Sequence, residues 1–258
     1  MQNRAARGGA AFCFLLQIHF LLQPLACYYK HIDSRKALRE LSPVEELASV
    51  VAIGLISIPN RQIQLTSEVK SIFDSNFGKY ISISNEAYSF LSENFVEMSY
   101  PQRSFLVEGG ATARYFYFAL SGVQAGYLLN NKGEKVIFGF SYQGSPSGIY
   151  DSFVTQTPSA YFMEALTDSR LIAISKEKYD ALFTLFPEFY RWRTHFIEAI
   201  LFGRGSREVE MLTLTAKERF DAFIKRCPNE LLQIPQKYLA SYLNMTPETF
   251  SRLRAMRD

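Results

Sequence analysis

The chain has 258 residues, 48% of them hydrophobic and 21% charged, and a net charge of +3. That balance excludes a disordered or low-complexity chain and fits one or two globular domains with a sizeable core. The small positive charge neither demands nor excludes a nucleic-acid partner, because such binding depends on where the charge sits.

Three scattered cysteines, Cys13, Cys27 and Cys227, give no disulfide framework, and three separated histidines, His19, His31 and His195, give no ligand spacing. The expectation is therefore a reducing compartment, no metal site and no cofactor. At the N-terminus Arg4 and Arg7 precede an apolar run, AAFCFLLQIHFLLQPLACYY, with the outline of a signal peptide. Gln17, His19, Gln23 and Pro24 interrupt it, so a stable membrane-spanning helix is not expected. A second apolar stretch at 47–59 is too short to span. Export signal, membrane anchor and an extension outside the folded unit all compete here. The last agrees best with the rest of the chain, and residues 1–62 are read as such an extension, with the true start of the folded protein near residue 65.

From Leu65 the pattern becomes regular. Helical spacing of Val69, Ile72 and Phe73, then of Ala87, Phe90 and Leu91, predicts short amphipathic helices over 68–77 and 85–95. After Pro101 the signal changes to strands: 115–120, 123–129 and 135–140, with a Ser121-Gly122 turn and a hairpin connection at 130–134. Two further strands, 161–166 and 170–175, flank a turn at Thr167-Asp168-Ser169. Many short strands divided by turns predict an antiparallel sandwich or jelly roll.

The run FLVEGGATARYFYFALSGVQAGYLLNNKGEKVIFGF resembles the opening of the cyclic-nucleotide-binding-type β-roll of the Crp/Fnr regulators. Members of that family that bind a nucleotide hold it with a Gly-Glu pair opening a short helix and a later Arg-Ser/Thr-Ala. Glu accepts from the ribose hydroxyl, while Arg and the helix-start amides neutralise the phosphate. The matching stretch here keeps Gly148, Ser159 and Ala160, but Ile149 stands where the acid would be and Pro158 where the arginine would be. Gly148, Ser159 and Ala160 are thus the candidate ligand-pocket residues, and Arg114 and Arg170 are candidate substitutes for the missing charge that nothing in the sequence places there. A buried phosphate without a cationic partner is costly, so a cyclic nucleotide is not the expected effector.

Residues 175–204 read as helical, with Tyr179, Leu182, Phe183 and Phe186 on one face and Pro187 in the first turn of a new helix. Phe189, Trp192, Phe196, Ile197, Ala199, Ile200 and Leu201 then form a stripe broad enough for the roll on one side and a symmetry mate on the other.

The sharpest signal is IPQKYLASYLNMTPETFSRLR, Ile234 to Arg254. Leu239 and Leu243 lie four apart on a first helix beginning near Pro235, and Ala240 is small where two helices would cross. Asn244 suits a left-handed turn. Thr246 suits an N-cap, Pro247 the first helical position and Glu248 the positive helix end. Phe250 and Leu253 should face back onto Leu239 and Leu243. A helical hairpin alone predicts the apolar spacing but not the small residue, turn and cap together.

This segment also resembles the helix-turn-helix of the Crp/Fnr regulators, and with the stretch from Leu214 the resemblance covers about residues 65–258. It implies an α+β protein: an antiparallel β-roll (jelly roll) sensor domain at 63–182, a connecting and dimerising helix at 183–212, and a winged-helix-like helix-turn-helix at 213–258. The chain stops at Asp258 without the β-hairpin wing many members carry, so some backbone contacts are expected to be missing. By the same resemblance Glu248 and Arg252 read bases, Arg suiting the O6/N7 edge of guanine and Glu the N4 of cytosine. Lys237, Thr246, Thr249 and Arg254 are candidates for backbone contacts, and Arg257 adds charge nearby.

The function this implies is sequence-specific transcriptional regulation in the cytoplasm by a homodimer on double-stranded DNA. An unidentified small-molecule effector and RNA polymerase are further candidate partners. A rival class is a membrane-tethered or exported β-roll binding module. An enzyme is not expected, since no nucleophile–base pair, phosphate-cradling Gly loop or metal motif occurs.

Overall fold

The computed structural model describes residues 63–256; the N-terminal extension and Arg257 fall outside them. Thr66 caps the first helix, α1 (Ser67–Phe73), by accepting the N–H of Val69. The helix then widens into a π turn, Asp74–Gly78, rather than running straight to Phe77. Phe73 and Phe77 are both buried, and Phe77 meets Phe118, Phe189 and Trp192 edge-on at 4.8–5.4 Å. Ser84 caps α2 (Asn85–Asn94).

Eight strands follow: β1 (Phe95–Tyr100), β2 (Phe105–Val107), β3 (Tyr115–Ser121), β4 (Gln124–Leu129), β5 (Lys135–Ser141), β6 (Pro146–Ser147), β7 (Phe162–Ala165) and β8 (Ser169–Ser175). They form two four-stranded antiparallel sheets in the orders β1-β8-β3-β6 and β2-β7-β4-β5. This is the predicted jelly roll. The five predicted strands appear within a residue of their expected ends, whereas β1, β2 and β6 were not foreseen. A short helix, α3 (Tyr150–Thr155), interrupts the roll. The Ser121-Gly122 turn needs its glycine: φ is +84°, and a Cβ there would lie 2.4 Å from the carbonyl oxygen of Asp168.

Alternation along the strands divides the core. Phe116, Phe118 and Leu120 on β3, with Ile172 and Ile174 on β8, pack under α1, α2 and the helices after the roll. Their neighbours Tyr117, Ala119, Leu171 and Ala173 join Met98, Tyr100 and Ala165 between the two sheets. Glu164, nearly fully buried, is ion-paired to Lys135, whose ammonium also lies 4.6 Å from the centre of the Tyr127 ring.

After the roll come α4 (Lys176–Leu185), capped by Ser175, and the 25-residue α5 (Phe189–Thr213). Pro187 stands just ahead of α5 rather than in its first turn, and its carbonyl takes the N–H of Tyr190. The helix also runs nine residues past the predicted end at Arg204. A capping box of Thr215 and Glu218 starts α6 (Ala216–Arg226). Then follow α7 (Asn229–Leu232), α8 (Gln236–Tyr242) and α9 (Pro247–Ala255). Among the described residues no helix is long and apolar enough to cross a membrane, and no cluster of three or more His, Cys, Asp or Glu could hold a metal.

Candidate nucleic-acid interface

The turn between α8 and α9 is built as the residue types demand. Asn244 adopts φ +51°, its N–H bonds the carbonyl of Ser241, and the N–H of Met245 bonds that of Ala240. This 6→1 and 5→2 pairing satisfies carbonyls that the helix end would leave open. Thr246 caps α9 by accepting the N–H of Thr249 at 3.2 Å, with Pro247 in the first helical position. Below the turn Leu239, Ala240, Leu243 and Phe250 are buried together, Leu253 packs beside them, and Phe250 meets Phe220 edge-on at 5.2 Å.

Two arginines from earlier in the chain hold the same turn. Arg219 on α6 donates to the carbonyls of Leu243 and Asn244 at 3.0 and 3.2 Å, and to that of Leu214 at 2.6 Å. Arg207 on α5 donates to the carbonyl of Tyr242 at 2.7 Å, and its guanidinium lies 4.7 Å from the centre of that residue's ring. Arg226 on α6 and Glu210 on α5 form a two-pronged ion pair at 2.5 and 2.6 Å, and the arginine holds the Glu210 carboxyl below the usual carboxylate range. Apart from the Arg219–Leu214 bond, these anchors lie 16 to 35 residues from their partners, and no local pattern in the sequence announces them.

With one face locked, α9 presents the other. Pro247, Glu248, Ser251, Arg252 and Arg254 are exposed. Gln236 at the start of α8 joins Pro247, Glu248, Ser251, Arg252 and Ala255 in lining a shallow open groove. The predicted readers Glu248 and Arg252 are therefore neighbours on one surface, and Gln236 and Ser251 belong to it as well. Arg252 and Arg254 have no ion-pair partner among the described residues. Backbone N–H bonding at the helix start and the Thr246 hydroxyl hold the Glu248 carboxyl below its ordinary range, so it is ionised at neutral pH. Lys237 is exposed, its ammonium 5.1 Å from the Tyr238 ring. The Thr246 hydroxyl accepts the N–H of Thr249 and lies 3.2 Å from that residue's hydroxyl.

The second candidate site is the stretch after β6. Gly148 has φ +119°, and a Cβ there would meet the Tyr117 ring at 3.4 Å. Ser159 is buried, and its hydroxyl closes on Tyr161, donating to that carbonyl and accepting that N–H at 2.9 Å each. Ala160 is half-buried beside it and Pro158 is exposed. Residues 148–161 contain Asp151 but no Lys, Arg or His. Arg170 is committed elsewhere, to Glu97 at 2.8 Å and Glu68 at 3.3 Å, and Arg114 is exposed. Aromatic rings fill the surroundings: Tyr150 packs on Phe116 and Phe196, and Phe138 meets Tyr161 edge-on at 5.1 Å.

Residues 97–184 match the family model of the cyclic nucleotide-binding domain. A comparison with curated protein sequences finds no match. Among solved structures the chain is similar to FixK2 from Bradyrhizobium japonicum, at 18% identity and a TM-score of 0.57, over 63% of this chain and 83% of that one. It is similar to the c-di-GMP-responsive global regulator CLP of Xanthomonas campestris, at 17% identity and a TM-score of 0.53, over 67% of this chain and 91% of that one. A cyclic nucleotide-binding domain containing protein from Listeria monocytogenes EGD-e gives 18% identity, a TM-score of 0.51 and coverage of 74% and 90%. Identities this low speak to the fold, and on that level the resemblance is borne out: the chain has a cyclic-nucleotide-binding-type β-roll followed by C-terminal helices, the architecture of the Crp/Fnr regulators.

Proposed function

We propose that the chain is a DNA-binding transcriptional regulator of the Crp/Fnr type in which α9 reads the major groove. The observation that carries this reading is α9 itself: one face is fixed by Phe250 and Leu253, while the other offers Arg252, without an ion-pair partner among the described residues, beside ionised Glu248. Arg252 suits guanine and Glu248 suits cytosine. Lys237, Thr249 and Arg254 offer further donors for phosphate oxygens, whereas Thr246 serves first as the cap. Regulators of this fold, such as FixK2 and the global regulator CLP, support the assignment. A DNA target places the protein in the cytoplasm.

The chain works as a homodimer in this reading. Phe189 and Trp192 turn α5 onto the roll, and its opposite face leaves Ile197, Leu201, Phe202, Val209 and Leu212 exposed, Phe202 at 68% and Leu212 at 79%. Exposed apolar side chains at helical spacing on a long helix suit a seam with a second copy. The roll does not answer to a cyclic nucleotide, because the stretch that would hold the phosphate has no cation and aromatic side chains occupy its neighbourhood.

The test is a selection of the full chain on a randomised duplex pool, with binding followed by fluorescence anisotropy and Arg252→Ala run in parallel. The expected outcome is a two-fold-related motif, with the variant losing about 1–3 kcal/mol of specific affinity at one position of each half-site. Equal, weak binding by both proteins with no enriched motif would overturn the reading.

A further inference from the structure

The end of α8 is the point where three parts of the chain meet. Strand β5 is the edge of its sheet, so one side of its backbone has no neighbouring strand. Ser241 takes that place: its hydroxyl accepts the N–H of Ile137 at 3.1 Å and donates to the carbonyl of Lys135 at 2.9 Å. Both groups lie on β5, more than 100 residues earlier in the chain.

The next residue receives the other anchor. Tyr242 offers its carbonyl to Arg207, and its ring meets both that guanidinium, at 4.7 Å, and the Phe140 ring of β5, at 5.4 Å. Arg207 keeps this contact although its Nε is buried without a partner among the described residues. A buried unpaired donor is unfavourable and persists where the surrounding geometry holds the group in place. Two consecutive residues thus bind the roll edge and α5, and the left-handed turn at Asn244 that aims α9 starts two positions later.

We propose that Ser241 and Arg207 are positioning residues: through the Ser241–Tyr242 junction they fix α9 against β5 and α5, and so determine which half-site spacing the dimer accepts. This rests on the dimeric DNA-reading assignment above. Moving one half-site by a single base pair turns it by about 35° and shifts it by about 3.4 Å, so a rigidly held pair of reading helices tolerates one spacing and a loosened pair several.

The experiment uses the full chain. Wild type first selects its motif from a randomised duplex pool, and the two half-sites are then resynthesised with spacers from two base pairs shorter to two longer. Wild type, Ser241→Ala, Ser241→Thr and Arg207→Ala are titrated against the series, with thermal unfolding measured for each. Ser241→Ala and Arg207→Ala are expected to keep the base preference within each half-site and to lose about fivefold or more of the discrimination between spacers, the scale of the interdomain hydrogen bonds removed. Ser241→Thr, which retains the hydroxyl, restores it. If Arg207→Ala does not fold, the Ser241 pair decides. A uniform loss of affinity at all spacings, with the wild-type spacing profile intact, would overturn the positioning role while leaving the DNA reading in place. Failure of wild type to enrich any two-fold-related motif would overturn both.

Discussion

The helix-turn-helix and the stretch after β6 share a construction and differ in chemistry. Both turn the chain through positive φ, at Asn244 in the one and at Gly148 and Gln156 in the other. Both close their loops with side-chain hydroxyls, Thr246 on Thr249 and Ser159 on Tyr161. The helix-turn-helix sets charge on that frame, with Arg252 and Glu248 facing outward, whereas residues 148–161 carry only Asp151. Backbone geometry in this molecule is held by packing and local hydrogen bonds, and whether a frame binds anything rests on a few side chains that folding does not require.

Removing the packing should cost most. Phe250→Ala takes a buried ring from under the reading helix and should lose about 3–5 kcal/mol of unfolding free energy, measured by urea denaturation. A loss below about 1 kcal/mol would mean that α9 is not anchored there. In the roll, Gly148→Ala puts a Cβ at φ +119° against the Tyr117 ring and should cost about 1–3 kcal/mol. Its selected DNA motif should be unchanged; an altered motif would show that the two regions are chemically coupled.

Smaller again is the cap. Thr246→Ala should destabilise by about 1 kcal/mol, and Thr246→Ser should recover most of that in the same thermal melt. Loss of DNA affinity without loss of stability would instead give Thr246 a direct phosphate contact. At the bottom of the scale, millimolar cyclic AMP should leave the melting temperature where it is. A ligand present at a hundred times its Kd would stabilise by about 2.7 kcal/mol, an unmistakable shift, and seeing one would restore a binding role to Gly148, Ser159 and Ala160.

What the sequence made legible was whatever is local. The cap, turn and reading face of α9 lie within about ten residues, and each follows from backbone rules acting on neighbours. The hairpin between β4 and β5 was visible for the same reason. Strand β1 was not: Phe95 continued the helical spacing of Ala87 and Leu91, and only its pairing with Ile174 on β8 makes it extended. The two-residue β6 carries no period at all. Arg207 and Arg219 are not legible because arginine is ordinary on a helix surface, and their partners here are main-chain carbonyls 35 and 24 residues away. The exposed stripe of α5 is legible only in part: Val209 and Leu212 lie beyond Arg204, where the helical pattern in the sequence ends, and Phe202 falls outside the predicted stripe.

The apolar cluster beneath the C-terminal helices does not stop at their boundary. Val123, Ala125, Tyr127, Ile137 and Leu166 of the roll are buried in the same cluster as Phe220, Phe223, Leu239 and Phe250. The roll and the C-terminal helices are therefore poor interchangeable parts. A chimera joining these C-terminal helices to a different roll would uncover large apolar side chains, each worth about 1.5–3 kcal/mol of burial, and the exposed patch would favour aggregation. Exchange of either half, in the laboratory or in evolution, has to carry the β4–β5 face along with it.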